Sequence, residues 1–274
     1  MASRPSGASP APLSSHGDRY FDGLAEKFAA SLYGHPRGEL RLVLLDHLLP
    51  ELLDLHQQPV LDVGAGLGQM GLWFARRGHP VTLCEPAAEM LDEARQVLAD
   101  DALARTPRFL PLPLQALPEQ ASGPWSLIVC HAVLEWMGDP RRALHTLSGL
   151  LAPGGQLSLM VFNRDALRLS NIVKGNLDKA LADRLAGTGQ RQRLTPISPI
   201  AHADVVAWAE ECGLGVEGVA GIRVFHDYLL QRNPDPETLA KLTALELRHC
   251  RDDAYWRLGR YLLYTLRKPE EPVL

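Results

Sequence analysis

Short apolar runs alternate with amphipathic stretches through the middle of the chain. The apolar runs are four to seven residues long, which is typical of buried parallel strands, and lie at 60–63, 81–84, 108–112, 126–130 and 156–162. Apolar residues at helical spacing fill the intervals, at 67–77, 87–99 and 140–151. Strands that alternate with helices form a parallel sheet with helices on both faces, so the pattern predicts an α/β fold.

The pattern changes on either side of this region. Helical periodicity at 19–33 and 39–55 predicts an N-terminal helical cap. After the fifth strand, residues 163–199 are helical, basic and interrupted by glycines, which indicates an insertion over the site. The remaining predicted elements are a helix at 201–212, a strand at 216–225, a helix at 236–250 and a strand at 258–266. We therefore expect a seven-stranded mixed sheet, mostly parallel, with an antiparallel edge.

Composition limits the class of protein. The 274 residues carry a formal charge of −4 and are 46% hydrophobic, enough for one sizeable core. No apolar run approaches the roughly 18 residues of a membrane span, and the N-terminus lacks the apolar centre of a signal peptide. We predict a cytoplasmic protein with a disordered polar leader at 1–17 and one domain at 18–274, of which 18–56 form the cap. The four cysteines contain no C-x-x-C pair, which fits a reducing compartment and indicates no metal site.

Glycines follow the first predicted strand, and an acid follows the second. Gly64, Gly66 and Gly68 let the backbone turn tightly and approach a ligand. Glu85 stands where nucleotide-binding α/β folds place a carboxylate against the two hydroxyls of a ribose. Because the carboxyl ends of adjacent parallel strands share one edge of the sheet, these residues predict a pocket for an adenosine-containing cofactor. The alternative is a tight turn without a ligand.

The spacing of the glycines distinguishes between cofactors. Dinucleotide-binding enzymes carry G-x-G-x-x-G, whereas Asp62 here begins the pattern D-x-G-x-G-x-G. This pattern resembles motif I of the class I S-adenosylmethionine-dependent methyltransferases. A nicotinamide oxidoreductase is accordingly disfavoured.

Further blocks of sequence include F-D-G-L-A-E-K-F and three that are more specific than motif I: H-A-V-L-E-W, N-I-V-K-G-N and G-I-R-V-F-H-D-Y. They resemble the tRNA 5-carboxymethoxyuridine methyltransferases, and the resemblance extends over about 19–269. It implies an enzyme that methylates the carboxylate of 5-carboxymethoxyuridine at the tRNA wobble position, giving the methyl ester. The implied cofactor is S-adenosyl-L-methionine, released as S-adenosyl-L-homocysteine. The implied partner is the tRNA anticodon loop, and we expect a monomer or a weak dimer.

The resemblance also implies which residues bind the cofactor. Together with motif I, they are Arg41, Asp62, Gly64, Ala65, Gly66, Glu85, Leu114, Gln115 and His131. Arg41 would clamp the methionine carboxylate, while Leu114 and Gln115 would bracket the adenine. Two positions depart from the family pattern: Ala65 replaces a glycine, and Glu85 replaces an aspartate. Neither change removes the expected contact.

If the acceptor is a carboxylate, the reaction needs no general base. Such an acid has a pKa of about 4, so it is already an anion at neutral pH. The enzyme must align the oxygen, the methyl carbon and the sulfur in a site without water. The groups that we consider for acceptor binding are Arg223, His226, Lys174, Tyr33 and His131. For Arg223, an ion pair with Asp227 is an equally good interpretation.

The charge of the predicted insertion differs from that of the chain. Seven basic and three acidic residues between 164 and 193 give a net charge of +4, against −4 overall. This excess suits a lid over an anticodon loop, with Tyr33, Phe162 and Trp136 as candidates for stacking on a base. The same charges could instead form a solvated helical face. Two other functions stay open: carboxyl methylation of a small molecule or carrier-bound acid, and cofactor binding without catalysis.

Overall fold

The computed structural model describes residues 17–21, 23, 35–99, 106–121, 123–187, 196–231 and 234–270. Residues 1–16 of the leader predicted at 1–17, and most of the helix predicted at 19–33, including Tyr33, lie outside these residues. Among the described residues, no helix combines the length and apolar character needed to cross a bilayer.

The strands form a seven-stranded mixed sheet. Their bounds are β1 (Val60–Val63), β2 (Val81–Cys84), β3 (Arg108–Leu110), β4 (Trp125–His131), β5 (Leu151–Phe162), β6 (Gly215–Ile222) and β7 (Tyr261–Arg267). The spatial order is β3-β2-β1-β4-β5-β7-β6. The first five strands pair in parallel, and β7 runs antiparallel to both β5 and β6. The predicted mixed sheet with an antiparallel edge is confirmed.

Helices cover both faces of this sheet. Their bounds are α1 (Pro36–Leu52), α2 (Gln69–Ala75), α3 (Ala88–Ala99), α4 (Leu117–Gln120), α5 (Pro140–Leu150), α6 (Arg164–Val173), α7 (Leu177–Leu181), α8 (His202–Glu211) and α9 (Pro236–His249). Alternate residues of a strand point to opposite faces. Thus Val60 packs with α1, α2 and α3, whereas Leu61 and Val63 pack with α5 and α8. Because both faces are buried, β1 is apolar along its length except at Asp62.

Several strand ends differ from those predicted, and two of the differences affect the site or the topology. The strand predicted at 216–225 ends at Ile222, because Arg223 adopts a left-handed backbone with φ of 62° that cannot continue a strand. The strand predicted to begin at 156 begins at Leu151, so the A-P-G-G sequence lies inside β5 rather than before it. The correction for Arg223 matters most, since that residue now belongs to the loop after the edge strand.

The ends of the segment predicted as an insertion meet in space. Asn163 and Ile200 form a parallel bridge, and the backbone N–H of Ile200 donates to the carbonyl of Phe162 at 3.1 Å. Between them lie α6 and α7, while 188–195 are outside the described residues. The chain therefore leaves the sheet after β5 and returns to the same point.

The strand register brings the candidate site residues together at the carboxyl ends of the parallel strands. Val63 pairs with Cys84 and with Cys130, so β1, β2 and β4 end at the same level. Two residues above the row of His131 and Met160, Phe162 pairs with Tyr261, which pairs in turn with Ile222. The loops that follow β1, β2, β4 and β6 consequently emerge on the same side of the molecule.

Candidate active site

The loop after β1 is a turn that only glycine accommodates easily. Gly64, Gly66 and Gly68 have φ of 69°, 55° and 81°, a region that side chains disfavour. A Cβ on Gly64 would also lie 2.3 Å from the Cγ2 atom of Val133. Gly68 ends the turn at the N-terminus of α2. A Cβ on Gly68 would lie 2.9 Å from the Cβ atom of Ala94, so the turn requires glycine for its conformation at three positions and for close packing at two.

An open cavity of about 980 Å³ lies over the carboxyl ends of β1, β2 and β4. Of the predicted cofactor-binding residues, the structure places Arg41, Asp62, Gly64, Ala65, Gly66, Glu85, Leu114 and His131 on its wall. Gln115 is not on the wall. The cavity unites residues from four separate loops and one helix, as a nucleotide site requires.

The carboxylate of Glu85 is held by backbone groups. Its Oε2 accepts a hydrogen bond from the N–H of Gly66 at 3.0 Å, and its Oε1 accepts one from the N–H of Ala87 at 3.0 Å. The residue is only 6% exposed. Each carboxylate oxygen can accept a second hydrogen bond, so the arrangement suits two neighbouring hydroxyls of a ribose at the cavity wall.

Asp62 presents a buried carboxyl to the same cavity. It is 3% exposed, and its Oδ2 atom has no hydrogen-bond partner among the described residues. Burial raises the pKa of Asp62 to about 7, although the backbone N–H of Gly71 works in the opposite direction. A buried acceptor without a partner fits a ligand that brings a donor or a positive charge.

Three ionisable residues meet beside Asp62. Burial and the Arg41 charge lower the pKa of His131 to about 3, so its imidazole is neutral at physiological pH. Its Nε2 atom lies 2.9 Å from the Ser158 hydroxyl. Burial raises the pKa of Glu135 to about 8, while backbone N–H groups and the Arg41 charge lower it. At neutral pH His131 is therefore neutral and Glu135 is largely protonated, and Arg41 is the charged member of the three.

The other end of the cavity is apolar and is crossed by residues 17–21. The Asp18 carboxylate accepts hydrogen bonds from the Gln115 side chain and from the N–H of Gly138, the latter at 2.8 Å. Phe21 packs edge-on against Trp136, with ring centroids 4.9 Å apart. Gln115 therefore fastens this segment at the rim. Leu114 and Met137 lie on the wall, where an adenine would fit.

Apart from His131, which lies on the cavity wall, the groups considered for the acceptor lie elsewhere. Arg223 is 6% exposed and pairs with Asp227, with 2.9 Å between Nε and Oδ2. His226 lies in the same turn, and Lys174 is exposed at the end of α6. Tyr33 falls outside the described residues. The structure thus brings Arg223 and His226 into one turn, and it places none of Arg223, His226 and Lys174 on the cavity wall.

Fewer basic side chains of the predicted insertion are available to a ligand than its composition suggests, because some of them form ion pairs. Arg164 and Arg168 both pair with Asp183, and Arg168 pairs with Asp165 as well. Lys174, Lys179 and Arg184 are exposed and make no ion pair within the part of the chain that the structure describes. Phe162 and Trp136 are 5% and 8% exposed, so neither offers an open ring face for stacking.

Several wall residues were not found from sequence. Asp18, Tyr20, Phe21 and Met137 contribute to the cavity or its rim. Their contacts join positions about 100 residues apart, such as Asp18 and Gly138. No periodicity records such a pairing. Within the described ranges, no cluster of three or more His, Cys, Asp or Glu side chains is arranged to hold a metal ion.

Comparisons with known proteins agree with this geometry. A family model described as a methyltransferase domain matches residues 37–217. The chain is 40% identical over 257 residues to the tRNA 5-carboxymethoxyuridine methyltransferase of Escherichia coli K12, covering 92% of this chain and 97% of the relative. It is 30% identical to a ubiquinone biosynthesis O-methyltransferase of Xylella fastidiosa, covering 72% and 80% of the two chains.

Solved structures show the same fold at low identity. Magnesium protoporphyrin IX methyltransferase from Synechocystis with bound S-adenosylmethionine superposes with a TM-score of 0.55 at 14% identity, over 91% of this chain and 93% of that one. A putative methyltransferase in complex with the Haloferax volcanii Trm112 activator gives 0.60 at 17% identity, over 92% and 98%. At these identities the likeness extends to the fold.

Proposed function

This chain belongs to the tRNA 5-carboxymethoxyuridine methyltransferase family, and from that premise we propose that it methylates the carboxylate of 5-carboxymethoxyuridine at the wobble position of tRNA. The observation that carries the proposal is the 40% identity to a named tRNA methyltransferase over nearly the full length of both chains. The chain is an S-adenosylmethionine-dependent methyltransferase by its family and fold. The proposed product is the methyl ester.

The cavity residues fit this cofactor. The two oxygens of Glu85 would accept the ribose hydroxyls while they retain the N–H donors of Gly66 and Ala87. Arg41 would form a bidentate pair with the methionine carboxylate. The unpartnered oxygen of Asp62 would accept the ammonium, which favours its ionised form. Bound in this way, the cofactor supplies an electrophilic methyl group on a positively charged sulfur.

Methyl transfer to a carboxylate needs no general base. The acceptor acid has a pKa of about 4 and is an anion at neutral pH, so no proton has to be removed. In the transfer, a carboxylate oxygen bonds to the methyl carbon, and the electron pair of the broken carbon–sulfur bond stays on sulfur. With a pKa of about 3, His131 is too weak a base to serve at neutral pH. We assign it instead a hydrogen-bonding role beside the transferred group.

The acceptor would be held by cations outside the cavity wall. We propose that Arg223 contacts the incoming nucleotide, since its Nη1 atom lies 3.5 Å from the carbonyl of Arg37 on α1, the helix that carries the wall residue Arg41. Exposed Lys174, Lys179 and Arg184 would add contacts to RNA phosphates. Arg191 and Arg193, which we expected to do the same, lie outside the described residues.

The test is transfer of labelled methyl from S-adenosylmethionine to unfractionated tRNA that contains the carboxymethoxy base. We expect base-labile label in tRNA, and mass spectrometry of wobble nucleosides should show conversion of the free acid to its ester. The Glu85→Ala variant serves as a control for contaminating activity. An enzyme that acts on small or carrier-bound acids would leave the tRNA unlabelled. A binding module would retain cofactor affinity and transfer no methyl group to any acceptor.

A further inference from the structure

A buried carboxylate holds the loop that follows the edge strand. Glu246, on α9, is fully buried, at 0% exposed. Its Oε2 accepts the N–H of Val224 at 2.6 Å, and its Oε1 accepts the N–H groups of Phe225 and His226 at 2.9 and 2.8 Å. Three consecutive backbone donors therefore converge on one side chain. Burial raises the pKa of Glu246, and these donors lower it.

The residue before this clamp is in an unfavourable conformation. Arg223 has a positive φ of 62°, which costs a non-glycine residue on the order of 1–2 kcal/mol. Nothing in its own dipeptide favours that state. The following three N–H groups are those held by Glu246, so the clamp supplies the compensating contacts. Glu246 accordingly determines the direction in which the Arg223 side chain leaves the backbone.

That direction leads towards the site. The Nη1 atom of Arg223 donates to the carbonyl of Arg37 at 3.5 Å, and Arg41, one helical turn further along α1, lines the cavity. Asp227 accepts from Nη2 of Arg223 at 3.1 Å and lies 3.9 Å from Nε of Arg260. Two guanidinium groups thus share one carboxylate, and Arg223 also reaches the backbone of α1.

We propose that Glu246 is a positioning residue for acceptor binding: by clamping Val224–His226 it fixes the guanidinium of Arg223 where an anionic nucleotide enters the site. The inference deepens the proposed function and rests on it. Glu246 touches neither substrate nor cofactor in this scheme. It acts through the backbone of the turn, as a carboxylate at the centre of three amide donors.

The test compares Glu246→Gln with Leu242→Ala in the full-length protein. Glutamine keeps the volume but presents an N–H₂ donor to at least one of the three amides, so the turn is no longer held. Leu242 lies one turn earlier on α9 and is 6% exposed, and its apolar side chain cannot accept hydrogen bonds from the turn's amides, so its truncation removes packing without removing an acceptor. Thermal unfolding of both variants shows how far each loses stability.

Steady-state kinetics with tRNA then separate positioning from stability. For Glu246→Gln we expect the KM for tRNA to rise about tenfold, the effect of one lost charge-assisted contact, with S-adenosylmethionine affinity within about twofold of wild type. Leu242→Ala should change neither. Arg223→Ala should raise the KM for tRNA as well, and adding Glu246→Gln to it should add little, because coupled residues are non-additive.

Several results would overturn the inference. One is a tRNA KM for Glu246→Gln equal to that of wild type or of Leu242→Ala. Full additivity with Arg223→Ala is another. If Glu246→Gln does not fold, Glu246→Asp, which keeps the charge but withdraws the acceptor by one methylene, is measured in its place with the same expected order. Failure of the wild-type protein to methylate tRNA, with cofactor binding intact, would instead refute the proposed function.

Discussion

Replacement of Glu85 by alanine is expected to remove most of the affinity for S-adenosylmethionine. The side chain is 6% exposed, and each of its oxygens already accepts one backbone N–H at 3.0 Å. It is therefore fixed in place before the ligand arrives. Two hydrogen bonds from ribose hydroxyls to a charged acceptor contribute about 1.5–3 kcal/mol each. Losing both predicts a dissociation constant roughly 10²- to 10⁴-fold higher, at about 1.4 kcal/mol per decade.

Isothermal titration calorimetry with S-adenosylhomocysteine measures this loss directly. The matched control is Glu85→Asp, which keeps the negative charge and introduces the aspartate of the family pattern. We expect this variant to retain most of the affinity. The loop is a concern, because alanine leaves the N–H groups of Gly66 and Ala87 without their acceptor. Thermal unfolding of the unliganded variant shows whether the loop's loss, rather than the ribose contact, explains the weaker binding.

An analogue that lacks both ribose hydroxyls completes the test. The wild-type protein should bind it as weakly as Glu85→Ala binds the normal ligand, and Glu85→Ala should bind both ligands alike. If the analogue loses the same factor in the two proteins, the hydroxyls meet some other group. Unchanged affinity of Glu85→Ala for the normal ligand would refute the assignment outright.

Three further predictions concern the loops around this site. Gly64→Ala and Gly66→Ala both place alanine at a positive φ, which costs about 1–2 kcal/mol, but only at Gly64 does the new methyl group clash. Urea unfolding should therefore show a larger loss of folding stability for Gly64→Ala than for Gly66→Ala, and equal losses would contradict the packing argument. A pKa of about 8 for Glu135, against 4.5 when unperturbed, means that the folded state binds this proton more tightly than the unfolded state, so stability should fall between pH 5 and 8. Glu135→Gln should flatten that dependence in denaturation curves recorded across the range, and an unchanged slope would show that Glu135 is not its source. Asp18→Ala should speed cofactor release in stopped-flow measurements, because the carboxylate fastens residues 17–21 across the cavity, whereas the exposed Asp46→Ala serves as the control; equal release rates would exclude such a role for Asp18.

Most of the sheet could be predicted because its signal is local. Each strand buried on both faces is an apolar run, and the runs at Val60–Val63 and Val81–Cys84 match the observed strands residue for residue. Glycine at 64, 66 and 68 predicts the turn, since few other residues adopt the positive φ angles found there. The acid at Glu85 then follows from the distance between parallel strand ends. These features depend on the chemistry of neighbouring residues.

The boundary errors show where local signals stop. The apolar sequence at 216–225 continues past the end of β6, and only the clamp by Glu246 explains why Arg223 leaves the strand. From the sequence, all seven basic residues of the predicted insertion were candidates for contacts with RNA. In space Asp183 neutralises part of that charge through two arginines, 19 and 15 residues away.

The sequence by itself determined the α/β order of elements and the glycine turn, because each is set by periodicity or by the conformational freedom of one residue type; the role of Glu85 towards a ribose stays a prediction. Only the tertiary structure decided which partner each charge meets. Asp18 reaches Gln115 across 97 positions, and Glu246 reaches the amides of a turn 20–22 residues earlier. Such contacts depend on strand register and side-chain direction, which the packing of the whole core fixes and no local pattern records.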